Sequence, residues 1–145
     1  MLRHVSQAID AIDWPEAALP YAGLARAAHA LAGLGIGLTP AGDDFLCGIM
    51  LACWLLDEHA AAGCAAIAKA ASALTTPLSA AFLGQAAQGY CRAPWHHLLA
   101  AVIAQNDSAI IDALNAVAAQ GATSGADSLA GFFWVLQKTK TGVIQ

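Results

Sequence analysis

One seven-residue pattern, Gly-x-Asp-x-Leu-x-Gly, heads the two most apolar stretches of this 145-residue chain. It reads Gly42-Asp43-Asp44-Phe45-Leu46-Cys47-Gly48 in the first copy and Gly125-Ala126-Asp127-Ser128-Leu129-Ala130-Gly131 in the second. A hydroxyl residue precedes each copy, as Thr39 and as Thr123-Ser124. In each copy the Asp and the last Gly share one helix face. A glycine on that face lets a second backbone or a ligand approach the first turn closely. Two readings stay open at this point. In one, Asp44 and Asp127 cap their helices while Gly48 and Gly131 mark helix crossings. In the other, glycine, hydroxyl and carboxylate at the mouth of a buried helix hold a small polar ligand.

Around these copies the pattern is helical. β-branched residues are scattered and no run alternates with period two, so strands are not expected. A short first helix is expected over Leu2 to Ile12, stopped before Trp14-Pro15. A second runs from Pro20 to Ala32, with Leu24, Ala27, Ala28 and Leu31 on one face. The glycine-rich segment from Gly33 to Gly42 breaks it. A third starts near Asp43 or Asp44 and ends before Gly63; its first part is apolar all round, as in a helix buried on every side. Further helices are expected over Cys64 to Leu74, Pro77 to Tyr90, Pro94 to Ala104, and from a cap at Asn106-Asp107 to Gln120. The last runs from Asp127 or Ser128 to about Lys138, where Lys138 and Lys140 suit a helix C-terminus. The expectation is therefore one all-α domain over residues 1–145. It is a compact bundle of about seven or eight helices, with two buried apolar helices at its centre, each opened by a Gly-x-Asp loop.

Composition narrows the function classes. The chain is 59% hydrophobic and 11% charged, against a usual ~25% charged. Much of the apolar excess is alanine, which favours helix and close helix packing. The net charge is -4 and Lys plus Arg total six, so no nucleic-acid partner is expected. The longest apolar run, Phe45 to Leu56, is short of the ~20 residues of a membrane span. Met1 to Asp13 lacks the apolar stretch of a signal peptide, so a cytoplasmic location is expected. Cys47, Cys53, Cys64 and Cys91 show no CxxC or metal-ligand spacing and read as small buried apolar residues. His4, His29, His59, His96 and His97 form no ligand pattern. No nucleophile elbow or P-loop is present.

The segment Gly33-Leu34-Gly35-Ile36-Gly37-Leu38-Thr39-Pro40-Ala41-Gly42-Asp43-Asp44-Phe45-Leu46 resembles the signature of a bacterial family that includes a subunit of oxamate carbamoyltransferase, an activity of purine (allantoin) catabolism. Thr76-Pro77-Leu78-Ser79 and Gly121-Ala122-Thr123-Ser124-Gly125-Ala126-Asp127 are similar to its second and third motifs, so the resemblance covers about residues 33–131. Ala41 departs from it, standing where a serine is usual. Family members are longer, with an additional N-terminal region, and this chain resembles their helical C-terminal part. The resemblance implies a role near the transfer of a carbamoyl group between oxamate and phosphate.

These lines lead to an enzyme domain or subunit that binds a small anionic substrate. Asp43, Asp44 and Asp127 are the expected catalytic carboxylates. Thr39, Gly42, Thr76, Ser79, Thr123, Ser124 and Gly125 are the expected substrate-binding residues, with backbone N–H groups around Gly42 and Gly125 holding the anion. No cofactor is called for and no metal-ligand set is assigned. The alternatives are a non-catalytic subunit that docks a partner through the same loops, and a hydrolase using an Asp-bound Mg²⁺. The sparse charge predicts partner subunits or homo-oligomers formed through alanine-rich helix faces. Sedimentation should therefore show an assembly larger than one chain; a monodisperse monomer at high concentration would contradict this.

Overall fold

The computed structural model describes residues 7, 9–15 and 18–141, with side chains to residue 139. Among these residues the chain is all-helical, with seven α-helices and no strand. They are α1 (Tyr21–Leu31), α2 (Ala41–Leu56), α3 (Ala61–Ser72), α4 (Pro77–Ala87), α5 (Ala93–Ile103), α6 (Asp107–Ala118) and α7 (Ser124–Thr141). The helix expected over Leu2 to Ile12 lies for the most part outside the described residues. None of the described helices is long and apolar enough to cross a membrane.

The most extensive packing joins α2 to α7, the two helices that carry the repeated pattern. Its geometry is reciprocal. A Cβ added to Gly48 would sit inside van der Waals contact of the Ser128 carbonyl and 2.9 Å from the Phe132 nitrogen. A Cβ added to Gly131 would overlap the Phe45 carbonyl and lie 3.2 Å from the Ile49 nitrogen. Each helix thus lays its backbone on the other's glycine. The first glycines are also matched. A Cβ on Gly42 would strike the carbonyl of Leu31 at the end of α1, and one on Gly125 the carbonyl of Val117 near the end of α6. The last Gly of each copy sets the crossing, and the first sets the approach of the preceding helix.

The rest of the core wraps this crossing. α1 packs on α3, α3 on α4, α4 on α2, and α5 on α6. Leu46, Ile49, Met50 and Cys53 of α2 and Phe132 and Val135 of α7 are almost fully buried. Trp95 of α5 stacks at a tilt on Phe132, with ring centroids 5.2 Å apart. Trp134 receives Phe45 at 6.0 Å and Trp14 at 5.3 Å.

Several helix limits differ from those expected. α2 begins at Ala41 and α7 at Ser124, each a few residues early. Pro40 precedes α2 with φ -54° and ψ 143°, and its carbonyl accepts the N–H groups of Asp43 and Asp44. The Thr123 carbonyl accepts the Asp127 N–H in the same manner. Asp44 and Asp127 therefore lie inside the first turns, where carboxylates still oppose the positive end of the helix dipole. α2 stops at Leu56 and does not continue toward Gly63. Asp57 ends it by accepting the Tyr21 hydroxyl at 2.8 Å and the His59 N–H at 2.8 Å. Gly63 falls inside α3, where any side chain would collide with the Tyr21 ring.

The glycines give a paired stability test. Gly48→Ala and Gly131→Ala should each destabilise by about 2 kcal/mol or more, because the overlap is with backbone. Gly84 of α4 faces open space; Gly84→Ala should stabilise by about 0.5–1 kcal/mol through helix propensity. Chemical denaturation measures both, and equal effects at Gly48 and Gly84 would contradict the crossing geometry.

Candidate functional site

The loop that leads into α2 is tied down at three points. Gly33, at φ +71°, has room for no side chain beside the Leu74 carbonyl. Its N–H donates to Asp43 Oδ1 at 3.0 Å, and the Thr75 hydroxyl donates to Asp43 Oδ2. Asp43 is 1% exposed. Both carboxylate oxygens are thus engaged within the fold, bolting the loop to the α3–α4 connection. At the far end of the loop, the Leu38 carbonyl accepts the Thr76 hydroxyl at 2.7 Å and the Ser79 hydroxyl at 3.4 Å. Thr76 also caps α4, its oxygen accepting the Ser79 N–H at 3.1 Å. Between the two copies, the Thr39 and Ser124 hydroxyls share a hydrogen bond of 3.0 Å. The threonine and serine that precede the two patterns therefore meet in space.

A cavity of about 450 Å³ opens beside this meeting point. Of the expected residues, Thr39, Asp44 and Ser124 line it. Asp43, Gly42, Thr76, Ser79, Thr123, Gly125 and Asp127 are not among the lining residues. Polar lining comes also from Cys47, Gln85, Cys91, Arg92, Gln120 and Ser128, and an apolar wall from Leu51, Leu78, Phe82, Tyr90 and Trp95. Helical spacing would have reached two of these: Cys47 lies one turn on from Asp44, and Ser128 one turn on from Ser124. Arg92 precedes Pro94 at the start of α5 and carried no signal of its own. Cys47 and Cys91 also depart from the all-buried reading of the cysteines: both are half-buried on the cavity wall, while Cys53 and Cys64 are fully buried.

The anion was expected at backbone N–H groups around Gly42 and Gly125. Five of these donors are used within the fold. The Gly42 N–H donates to the Leu34 carbonyl at 2.8 Å and the Gly125 N–H to the Gln120 carbonyl at 3.0 Å. The Asp43, Asp44 and Asp127 N–H groups are also bonded internally. Glycine loops that turn this tightly satisfy their own donors, so these five N–H groups are not free for a ligand.

The carboxylates behave differently. Asp44 Oδ2 and Asp127 Oδ2 are buried and have no hydrogen-bond partner among the described residues. Burial raises the Asp44 pKa above its ordinary value; the Ser124 and Thr39 hydroxyls pull it down, and the charges of Asp127 and Asp43 push it up again. A buried carboxylate oxygen with no donor costs free energy, and a ligand N–H or a proton relieves it. Burial with the charges of Asp44 and Asp43 pushes the Cys47 thiol up to about 12, and burial raises Cys91. Both thiols are therefore protonated at neutral pH and are not poised as nucleophiles. No group of three or more His, Cys, Asp or Glu side chains suited to a metal ion occurs among the described residues.

The sequence model of the family described as oxamate carbamoyltransferase subunit AllH matches residues 31–136. The chain belongs to this family. The matched span contains both copies of the repeated pattern and every residue that lines the cavity. No solved structure matches the chain significantly.

Two aspartates one residue apart should respond in opposite directions. Asp43→Ala removes two hydrogen bonds and orphans the Gly33 N–H, and should destabilise by about 2–4 kcal/mol. Asp44 has a folded-state pKa above its unfolded value. Its contribution is favourable below the ordinary carboxylate range and is lost as pH rises through the folded pKa. Asp44→Asn should therefore melt at or above the wild-type temperature at neutral pH, and that advantage should vanish on acidification. A melting temperature for Asp44→Asn as low as that of Asp43→Ala would contradict the assignment.

Proposed function

We propose that this chain binds a small carbamoyl-bearing anion, of the oxamate or carbamoyl phosphate type, as a subunit of a carbamoyl-transferring enzyme. The observation that carries this reading is that Asp44, whose Oδ2 is buried without a hydrogen-bond partner among the described residues, lines a cavity at the meeting of the two Gly-x-Asp copies. A carbamoyl NH₂ is a neutral double donor and matches a carboxylate oxygen that lacks a donor. The Thr39 and Ser124 hydroxyls, already bonded to each other, stand beside Asp44 to orient the carbamoyl oxygen. Asp127 lies close enough to Asp44 for its charge to push the Asp44 pKa up, which favours a donor at Asp44. Asp43, Thr76 and Ser79 hold the loop, while Gly42 and Gly125 let the preceding helices close on it. The family description supports the carbamoyl-transfer setting and a place among partner subunits.

One observation favours a second reading, a non-catalytic subunit that docks its partner through the glycine-rich loop. Ile36 is 97% and Leu38 73% exposed on that loop, beside the cavity that Leu38 lines. Titration calorimetry separates the two. Oxamate or carbamoyl phosphate bound by the chain alone supports the first reading, and binding only in the presence of a partner subunit supports the second. Under the first, Asp44→Asn should weaken binding by about tenfold or more, a difference of ~1.4 kcal/mol, with melting preserved. Wild-type binding by Asp44→Asn would remove Asp44 from the site.

A further inference from the structure

We infer that Arg92 is the anion anchor of this cavity, so that ligands lie with their amide at Asp44 and their carboxylate or phosphate at Arg92. The inference rests on the reading of the cavity as a carbamoyl-ligand site and adds to it the group that holds the charge.

The argument begins from a shortage. The backbone donors at Gly42 and Gly125 are bonded within the fold. Asp44 repels an anion. A small anionic ligand in this cavity still needs a donor of positive charge, and Arg92 is the one basic side chain among the lining residues.

Its surroundings suit that task. Among the described residues Arg92 takes part in no ion pair. Its guanidinium carbon lies over the Phe82 ring, 5.2 Å from the centroid. Stacking of this kind engages the face of the guanidinium and leaves the N–H fork in its plane, where a carboxylate or phosphate binds with two parallel hydrogen bonds. Phe82 belongs to α4 and Arg92 precedes α5. The contact therefore holds the guanidinium against a ring from a separate segment.

The charge balance of the cavity agrees. Cys47 and Cys91 are held protonated, and the remaining polar lining, Gln85, Gln120 and the hydroxyls, is neutral. The lining thus has one negative pole at Asp44 and one positive pole at Arg92. A ligand with an amide at one end and an anion at the other satisfies both. A ligand with a carboxylate at each end leaves Asp44 without a donor, and a neutral diamide leaves Arg92 without a counter-charge. Arg92 is an exposed lining residue, so its contribution is screened by salt.

Calorimetric titration of the full chain with three two-carbon ligands tests this: oxamate (amide and carboxylate), oxalate (two carboxylates) and oxamide (two amides). The wild type should bind oxamate more tightly than either of the others. Arg92→Gln should weaken oxamate by about tenfold or more (~1.4 kcal/mol), abolish the salt dependence of oxamate binding, and leave oxamide binding within about twofold. Arg92→Lys keeps the charge without the fork and should fall between Arg92→Gln and the wild type. Oxamate binding by Arg92→Gln at wild-type strength would overturn the anchor while leaving the carbamoyl reading in place. Equal loss of oxamate and oxamide would overturn it too, since that marks damage to the cavity and not a missing anion contact. Failure of the wild type to bind any of the three would overturn the reading on which the anchor rests.

Discussion

The crossing of α2 and α7 at Gly48 and Gly131 is the contact on which the rest of this structure depends. Backbone-to-backbone contact at both glycines brings the first turns of the two helices together. The Thr39 and Ser124 hydroxyls meet there as a result. The same contact places the Asp127 charge close enough to act on Asp44. A larger residue at either glycine would push the helix starts apart and undo the meeting of hydroxyls and carboxylates. Stability and site geometry are therefore set by the same two positions.

Around that crossing the fold divides labour among similar side chains. Asp43 and Asp44 are adjacent, yet one is bonded at both oxygens and the other has a buried oxygen with no donor. The difference follows from helix geometry. Successive residues of a helix point about 100° apart. Asp43 faces the Gly33 and Thr75 loops, and Asp44 faces the cavity. The hydroxyls divide in the same way. Those of Thr75, Thr76 and Ser79 hold the glycine-rich loop at its two ends, whereas those of Thr39 and Ser124 stand at the cavity. A loop fixed at both ends with Leu38 and Thr39 on the cavity wall is a preorganised surface, which lowers the entropy cost of binding.

The all-helical class, most helix limits to within a few residues, and the importance of the repeated pattern were all legible in the sequence, because apolar periodicity and glycine punctuation are local signals. So were Thr39, Asp44 and Ser124 as cavity residues, since each belongs to a pattern copy or lies within three residues before one. What was not legible came from long-range geometry. Nothing local shows that the Gly42 and Gly125 N–H groups bond to Leu34 and Gln120, so glycine-rich loops read as anion sites when their donors were already used. Nothing local shows that Arg92 lies over Phe82 and lines the same cavity as Asp44, because the three lie on different elements. Asp43 and Asp44 were indistinguishable until the start of α2 was fixed at Ala41, which sets the direction of each carboxylate.

The most direct test of the central claim, that the two crossed helix starts build one carbamoyl-ligand site around Asp44, is a crystal structure of the chain with oxamate. The ligand should lie in the cavity beside Thr39 and Ser124, with its amide nitrogen within hydrogen-bond distance of the Asp44 carboxylate. Oxamate bound elsewhere, or bound in the cavity with no hydrogen bond to the Asp44 carboxylate, would contradict the account.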